Sequence, residues 1–219
     1  MVPRVASSIL LFTLLTLGQE CPPNPGTDPN EPSFGTPVPI RPEDIPSGCS
    51  DFEILAARGT SEIGKFGYRI GDPLIGNVTE TLQGSRGYPV QYPASSDFAN
   101  GVAQGGLDVV NRIESQSQLC PGQTFSLVGY SQGAMVMRNA IGNLSESLFE
   151  KVKSIVLFGD PEIDSEIPTE LEAKLLENCA TGDFACDKSG TTCPYGHITY
   201  SFPEWIEPAE DFIVKAFSS

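Results

Sequence analysis

Leu127-Val-Gly-Tyr-Ser-Gln-Gly-Ala134, LVGYSQGA, sets one serine between two glycines where two patterns meet. Thr124-Phe-Ser-Leu before it reads as a buried strand, and Met135-Val-Met-Arg-Asn-Ala-Ile after it reads as a helix. Met137, Ala140, Ile141 and Leu144 would share one face of that helix. Gly129 to Gly133 fits Gly-x-Ser-x-Gly, a sharp strand-to-helix turn with a strained serine backbone. A side chain at Gly129 or Gly133 would strike the neighbouring strand or helix. The Ser131 hydroxyl would then stand clear of the sheet at a helix N-terminus, where developing negative charge is favoured. The bare pattern also occurs by chance, and an ordinary structural turn is the competing reading. The strand before it and the helix after it give the nucleophile reading its weight.

Outward from this turn the chain alternates. FEILAA (52–57), YPVQYPA (88–94), TFSLVGY (124–130) and SIVLFGD (154–160) are short apolar runs that read as buried strands. Between them lie helical patterns, with Leu107, Val110 and Ile113 spaced by three in 101–118 and a last helix over 204–217 carrying Pro208. Such alternation predicts an α/β fold, a three-layer sandwich with a central, mainly parallel sheet of about five strands. Sheets of this kind keep their sites at the carboxyl ends of the strands.

The chain has 219 residues, and its net charge of −15 comes from 13 basic and 28 acidic residues. That balance argues against nucleic acid and anionic membrane surfaces as partners, and its plainest effect is solubility. Arg4 followed by the apolar run Ile9 to Leu17 predicts a signal peptide over residues 1–18, too short to span a bilayer. Stable membrane insertion is not expected. Six cysteines (Cys21, Cys49, Cys120, Cys179, Cys186 and Cys193) suit disulfides in an exported chain. With one histidine in the chain, their spacing does not suggest zinc. Asn77-Val-Thr79 and Asn143-Leu-Ser145 match the glycan acceptor pattern. Residues 22–47 carry nine of the 19 prolines, so 19–47 reads as an extended tether or a loosely packed lead-in, with the compact domain over 48–219.

A serine nucleophile needs a base, and His197 is the one histidine. Lone histidines are often structural, but this one follows Ser131 in a Gly- and Cys-rich loop. The order Ser, acid, His requires an acid between them. Asp160 ends the strand SIVLFGD, Asp183 lies in CATGDFAC, and Asp187 is a third candidate. A bridge between Cys179 and Cys186 would fix Asp183 close to His197.

Taken together, GYSQG, CATGDFAC with a late histidine, and ARGTSE (57–62) resemble the cutinase family of serine esterases, over roughly residues 48–215. The resemblance implies a minimal α/β-hydrolase fold without a lid domain, with Ser131 as nucleophile, His197 as base and Asp183 as orienting acid. It implies an oxyanion hole from the backbone N–H of Gln132 and from Thr60. It also implies disulfides Cys49–Cys120 and Cys179–Cys186, which leaves Cys21 and Cys193 for each other. Val128 stands where many fungal cutinases have a glycine. DKSGTTCPYG (187–196) is polar where plant-cutin enzymes are aliphatic.

A secreted, monomeric carboxylic ester hydrolase is therefore expected, acting on a polymeric or lipid-like ester without metal or cofactor. Cutin, short-chain esters and acetylated polysaccharide are the substrates considered. The reading in another class is a non-catalytic cell-wall or host-binding protein. A proton-accepting imidazole must be neutral, so activity is expected to rise between about pH 5.5 and 8. Arg58 is expected to brace the oxyanion loop, and Tyr130 either to pack or to touch the acyl chain.

Overall fold

Three largely apolar central strands and two edge strands pair into one five-stranded sheet: β1 (Phe52–Ala57), β2 (Ser85–Pro89), β3 (Thr124–Tyr130), β4 (Val152–Phe158) and β5 (Leu175–Asn178). The computed structural model describes residues 20–218, so the expected signal peptide over 1–18 lies outside the described residues. The strand order is β2-β1-β3-β4-β5, and every pairing is parallel. Parallel neighbours need crossovers, and helices supply them: α1 (Gly71–Thr81), α2 (Phe98–Leu119), α3 (Gln132–Asn143), the short α4 (Thr169–Glu172) and α5 (Pro203–Phe217).

Side chains alternate along each strand, so the sheet feeds two cores. Leu55, Leu127 and Ile155 face α2 and α3, meeting Val109, Ile113, Val136 and Met137. Ile54, Val128 and Val156 face α1 and α5, meeting Leu74, Val78, Ile206 and Ile213. The face expected on α2 needs one correction. Leu107 is 60% exposed, and Val109, Val110 and Ile113 make the buried stripe instead.

Two boundaries also differ from the sequence reading. β2 begins at Ser85, before the apolar run, and ends at Pro89. It is an edge strand paired only with β1, so it needs no continuous apolar run. Val90, Tyr92 and Ala94 continue as a buried connection. α1 and β5 add to the elements read from the sequence; Leu74, Ile75 and Val78 set the buried face of α1 at helical spacing, whereas β5 is only LLEN.

Three disulfides join Cys21 to Cys193, Cys49 to Cys120 and Cys179 to Cys186. The Pro-rich segment is laid along the domain rather than hanging free. Val38 is buried, and its N–H donates to the Pro93 carbonyl at 2.7 Å. Proline removes donors, but the remaining polar groups still dock the segment at fixed points. Asn77 and Asn143 are both exposed.

Candidate active site

The strand order reverses between β1 and β3, and that crevice at the carboxyl ends is where such sheets place ligands. Ser131 follows β3 there. Its backbone has φ 54° and ψ −117°, a conformation that costs a non-glycine residue about 1–3 kcal/mol. Its N–H donates to the Phe158 carbonyl at 2.9 Å, which holds the turn to β4. A Cβ at Gly129 would lie 2.5 Å from the Gly133 carbonyl oxygen, and one at Gly133 would collide with the Ala57 carbonyl. The two glycines let α3 start hard against the end of β1.

His197 lies in a single 3₁₀ stretch, Gly196–Ser201. Its Nε2 is 2.8 Å from Ser131 Oγ and its Nδ1 is 2.7 Å from Asp183 Oδ1. An ionised carboxylate only accepts, so Nδ1 carries the hydrogen and Nε2 of the neutral ring accepts from the serine hydroxyl. Asp183 is fully buried. Burial works against its charge, but hydrogen bonds from His197 and Tyr200, and attraction to the imidazole, hold the carboxyl below its ordinary value. The Ala185 N–H adds a third donor at 2.8 Å. Gly159, at φ +54°, passes beneath, where a Cβ would lie 2.8 Å from Asp183 Oδ2 and 3.0 Å from the imidazole.

Asp160, the other acid considered, is also fully buried but turns away. It pairs with Arg138, which also reaches Glu177 at 2.6 Å. Asp187 accepts the N–H groups of Gly182 and Ser189, at 2.6 and 2.8 Å, and so closes the loop around Asp183. Those bonds hold its carboxyl below the ordinary value.

Across from the serine runs the loop 58–62. The Thr60 hydroxyl donates to Gln132 Oε1 at 3.2 Å, and Gln132 Nε2 donates to the Ser95 carbonyl at 3.1 Å. The structure therefore brings Thr60 and Gln132 together beside Ser131. Arg58 braces the loop through backbone bonds, donating to the Tyr92 carbonyl at 3.0 Å while the Tyr92 hydroxyl donates to the Arg58 carbonyl. Glu62 is buried and accepts the N–H groups of Gly59 and Arg69, at 2.7 and 2.8 Å. Burial pushes its carboxyl up to about 7 in spite of those donors. Ser61 and Ala94 both have positive φ, and they are joined by an N–H to carbonyl bond of 2.7 Å.

Two residues escaped the sequence reading. Tyr200 donates to Asp183 Oδ2 and accepts the Ala180 N–H at 3.0 Å. The signal was its spacing of three from His197, since side chains at i and i+3 eclipse in a 3₁₀ helix. Phe184, 77% exposed, lies with its ring centroid 4.6 Å from that of His197. Tyr130 is buried and donates to the His197 carbonyl at 2.8 Å, so it packs and positions rather than standing open to an acyl chain.

The fold and its crevice define the class: an α/β-hydrolase of the serine esterase kind. The sequence profile of the cutinase family matches residues 48–217. The cutinase of Hypocrea jecorina is 38% identical over 174 residues, which is 78% of this chain and 68% of that one. The solved structure of Trichoderma reesei cutinase in complex with a C11Y4 phosphonate inhibitor is 36% identical, with a TM-score of 0.69 over 78% of each chain. The catalytic core domain of acetyl xylan esterase from Trichoderma reesei, 22% identical over 77% of this chain and all of that one, shares the fold at a TM-score of 0.66. The chain belongs to the cutinase family and is a carboxylic ester hydrolase.

Proposed function

We propose that the protein is a secreted serine esterase working through Ser131, His197 and Asp183 and an acyl-enzyme. The observation that carries this is the unbroken chain of contacts, 2.8 Å from Ser131 Oγ to His197 Nε2 and 2.7 Å from Nδ1 to Asp183. His197 accepts the Ser131 proton as the hydroxyl attacks the ester carbonyl. Asp183 keeps the ring in the right tautomer and stabilises the imidazolium that forms. The backbone N–H of Gln132, with Thr60 as the second donor, holds the oxyanion, a large electrostatic contribution to such reactions. The alcohol leaves with the proton from His197. Water then attacks the acyl-enzyme with His197 again as base, releasing the acid and restoring Ser131.

The relatives named cutinase favour a cutin-like polyester or a short-chain ester as substrate. A second reading, acetyl esters of polysaccharide, is favoured by the rim before Cys193, where Lys188, Ser189, Thr191 and Thr192 are all exposed. Three disulfides support an oxidising, extracellular location. A monomer suffices, because every residue given a role lies on one chain.

The test is hydrolysis of p-nitrophenyl acetate, butyrate and palmitate by the oxidised protein beside Ser131→Ala. Butyrate turnover lost by about 10⁴ or more in the folded variant is expected. Equal rates in the two proteins would overturn the reading. The trend with acyl length chooses between the substrate classes.

A further inference from the structure

The Pro-rich segment is anchored both to the loops that carry Asp183 and His197 and to the loop that carries Thr60. At one end Cys21 is bonded to Cys193. The Cys193 N–H donates to the Gly182 carbonyl at 3.0 Å, and its carbonyl accepts the Gly196 N–H at 3.3 Å. Cys193 thus sits between the residues that precede Asp183 and His197. Further along, Glu31 accepts from Arg69 at 3.0 Å and from the Tyr68 hydroxyl at 2.8 Å. The Thr36 carbonyl then accepts the Ser61 hydroxyl at 3.0 Å.

Between these anchors a cleft of about 370 Å³ opens against the loop that carries Thr60. Thr27, Asp28, Glu31 and Phe34 wall it on one side, and Thr60 and Ser61 on the other. Its lining is mixed: the carboxylates of Asp28 and Glu31 stand beside Pro32 and Phe34, the latter 77% exposed. An aliphatic chain laid here would strip water from Asp28 and Glu31 and return no hydrogen bond. A hydroxyl-rich ring suits the lining better: its O–H groups donate to carboxylates, and its C–H face lies on the phenyl ring.

We propose that this cleft is a subsite of the esterase and holds a glycosyl unit on the alcohol side of the scissile ester, with Phe34 as its platform. The inference rests on the reading of Thr60 as an oxyanion donor, which puts the cleft next to the reacting carbonyl. The N-terminal segment is then a wall of the substrate site, fixed at one end to the loops of Asp183 and His197.

The experiment compares wild type, Phe34→Ala and Phe34→Trp on partially acetylated xylohexaose and on p-nitrophenyl acetate. The ratio of kcat/KM between the two substrates is expected to fall at least fivefold in Phe34→Ala, mainly through KM for the oligosaccharide. Phe34→Trp should restore it. An unmoved ratio overturns the proposal. So does a loss in Phe34→Ala that instead grows with acyl length from p-nitrophenyl acetate to octanoate, because the cleft would then hold the acyl chain. If wild type hydrolyses no ester at all, the active-site reading falls separately. The cleft is then judged by titrating Ser131→Ala with unacetylated xylohexaose: NMR shifts at residues 27–34 support it, and their absence overturns it.

Discussion

Asp160 and Asp183 are both fully buried acids that follow Ser131 in sequence, and their partners separate them. Asp183 meets the imidazole and two further donors, whereas Asp160 meets Arg138. Asp183→Asn should therefore lower kcat by about 10³–10⁴ in a folded protein, since the amide no longer selects the tautomer. Asp160→Asn should keep its activity per folded molecule and lose stability by about 1–3 kcal/mol, because Arg138 loses one charge-assisted bond but keeps its pairing with Glu177. Urea unfolding and ester hydrolysis on the same samples read both. The opposite pattern would transfer the acid role to Asp160. Apolar periodicity could not make this choice, because both aspartates lie between Ser131 and His197 in the chain and neither belongs to an apolar face. Only the bridged loop Cys179–Cys186, met through a family resemblance, pointed to Asp183. The turn at Ser131 was legible from its two glycines together with the strand before it and the helix after it, since those glycines are dictated by collisions with backbone rather than by distant contacts.

At the scale of elements, the strands that lie in the middle of the sheet were legible and the edges were not. β1 and β3 are buried on both faces, and their apolar runs mark their bounds. β2 and β5 border the sheet, so their sequences SRGYP and LLEN carry little pattern. The oxyanion loop belongs to this scale as well. Glu62 holds it by accepting two backbone N–H groups with two oxygens. In Glu62→Gln one oxygen becomes an amide NH2, so the N–H of Gly59 or of Arg69 loses its acceptor and the clamp on the loop is halved. We expect kcat to fall about tenfold or more, with KM little changed, because an oxyanion donor is displaced rather than removed. An unaltered kcat in the folded variant would show that the loop keeps its shape without this clamp. The 3₁₀ turn at Gly196–Ser201 makes the same point from the other side of the site. It sets His197 and Tyr200 on one face, a relation invisible to a search for α or β periods.

The whole molecule carries a net charge of −15, and its buried carboxyls shape how it responds to pH. Burial pushes Glu62 up to about 7, and burial together with the nearby Asp160 does the same to Glu177, from an ordinary value of 4.5. The folded state therefore binds these protons more tightly than the unfolded chain. Their stabilising effect is complete below about pH 4.5 and is lost as pH rises towards 7, with Glu62 alone accounting for about 3 kcal/mol. Asp183 acts in the opposite sense below its ordinary value of 3.8, where protonation would release its partners. Self-repulsion of the acidic surface also eases on approach to a pI of 4.3. Tm should accordingly be highest near pH 4.5–5 and fall steadily to pH 8, while activity rises over the same range. Calorimetry at pH 4.5, 6 and 8 checks this, and a Tm that climbs with pH would contradict it. At this scale the Pro-rich segment was the least legible part. Proline content signals extended chain, but it does not say whether the chain hangs free or is docked. Here Val38, Glu31 and Cys21 decide for docking through contacts far away in sequence.

The most direct measurement is labelling of the folded, oxidised protein with a fluorophosphonate, followed by peptide mapping. The account predicts one phosphonyl group per chain, on Ser131, with loss of esterase activity in step and no labelling of His197→Ala. Label on another residue, or an unlabelled protein that still hydrolyses p-nitrophenyl butyrate, would contradict it.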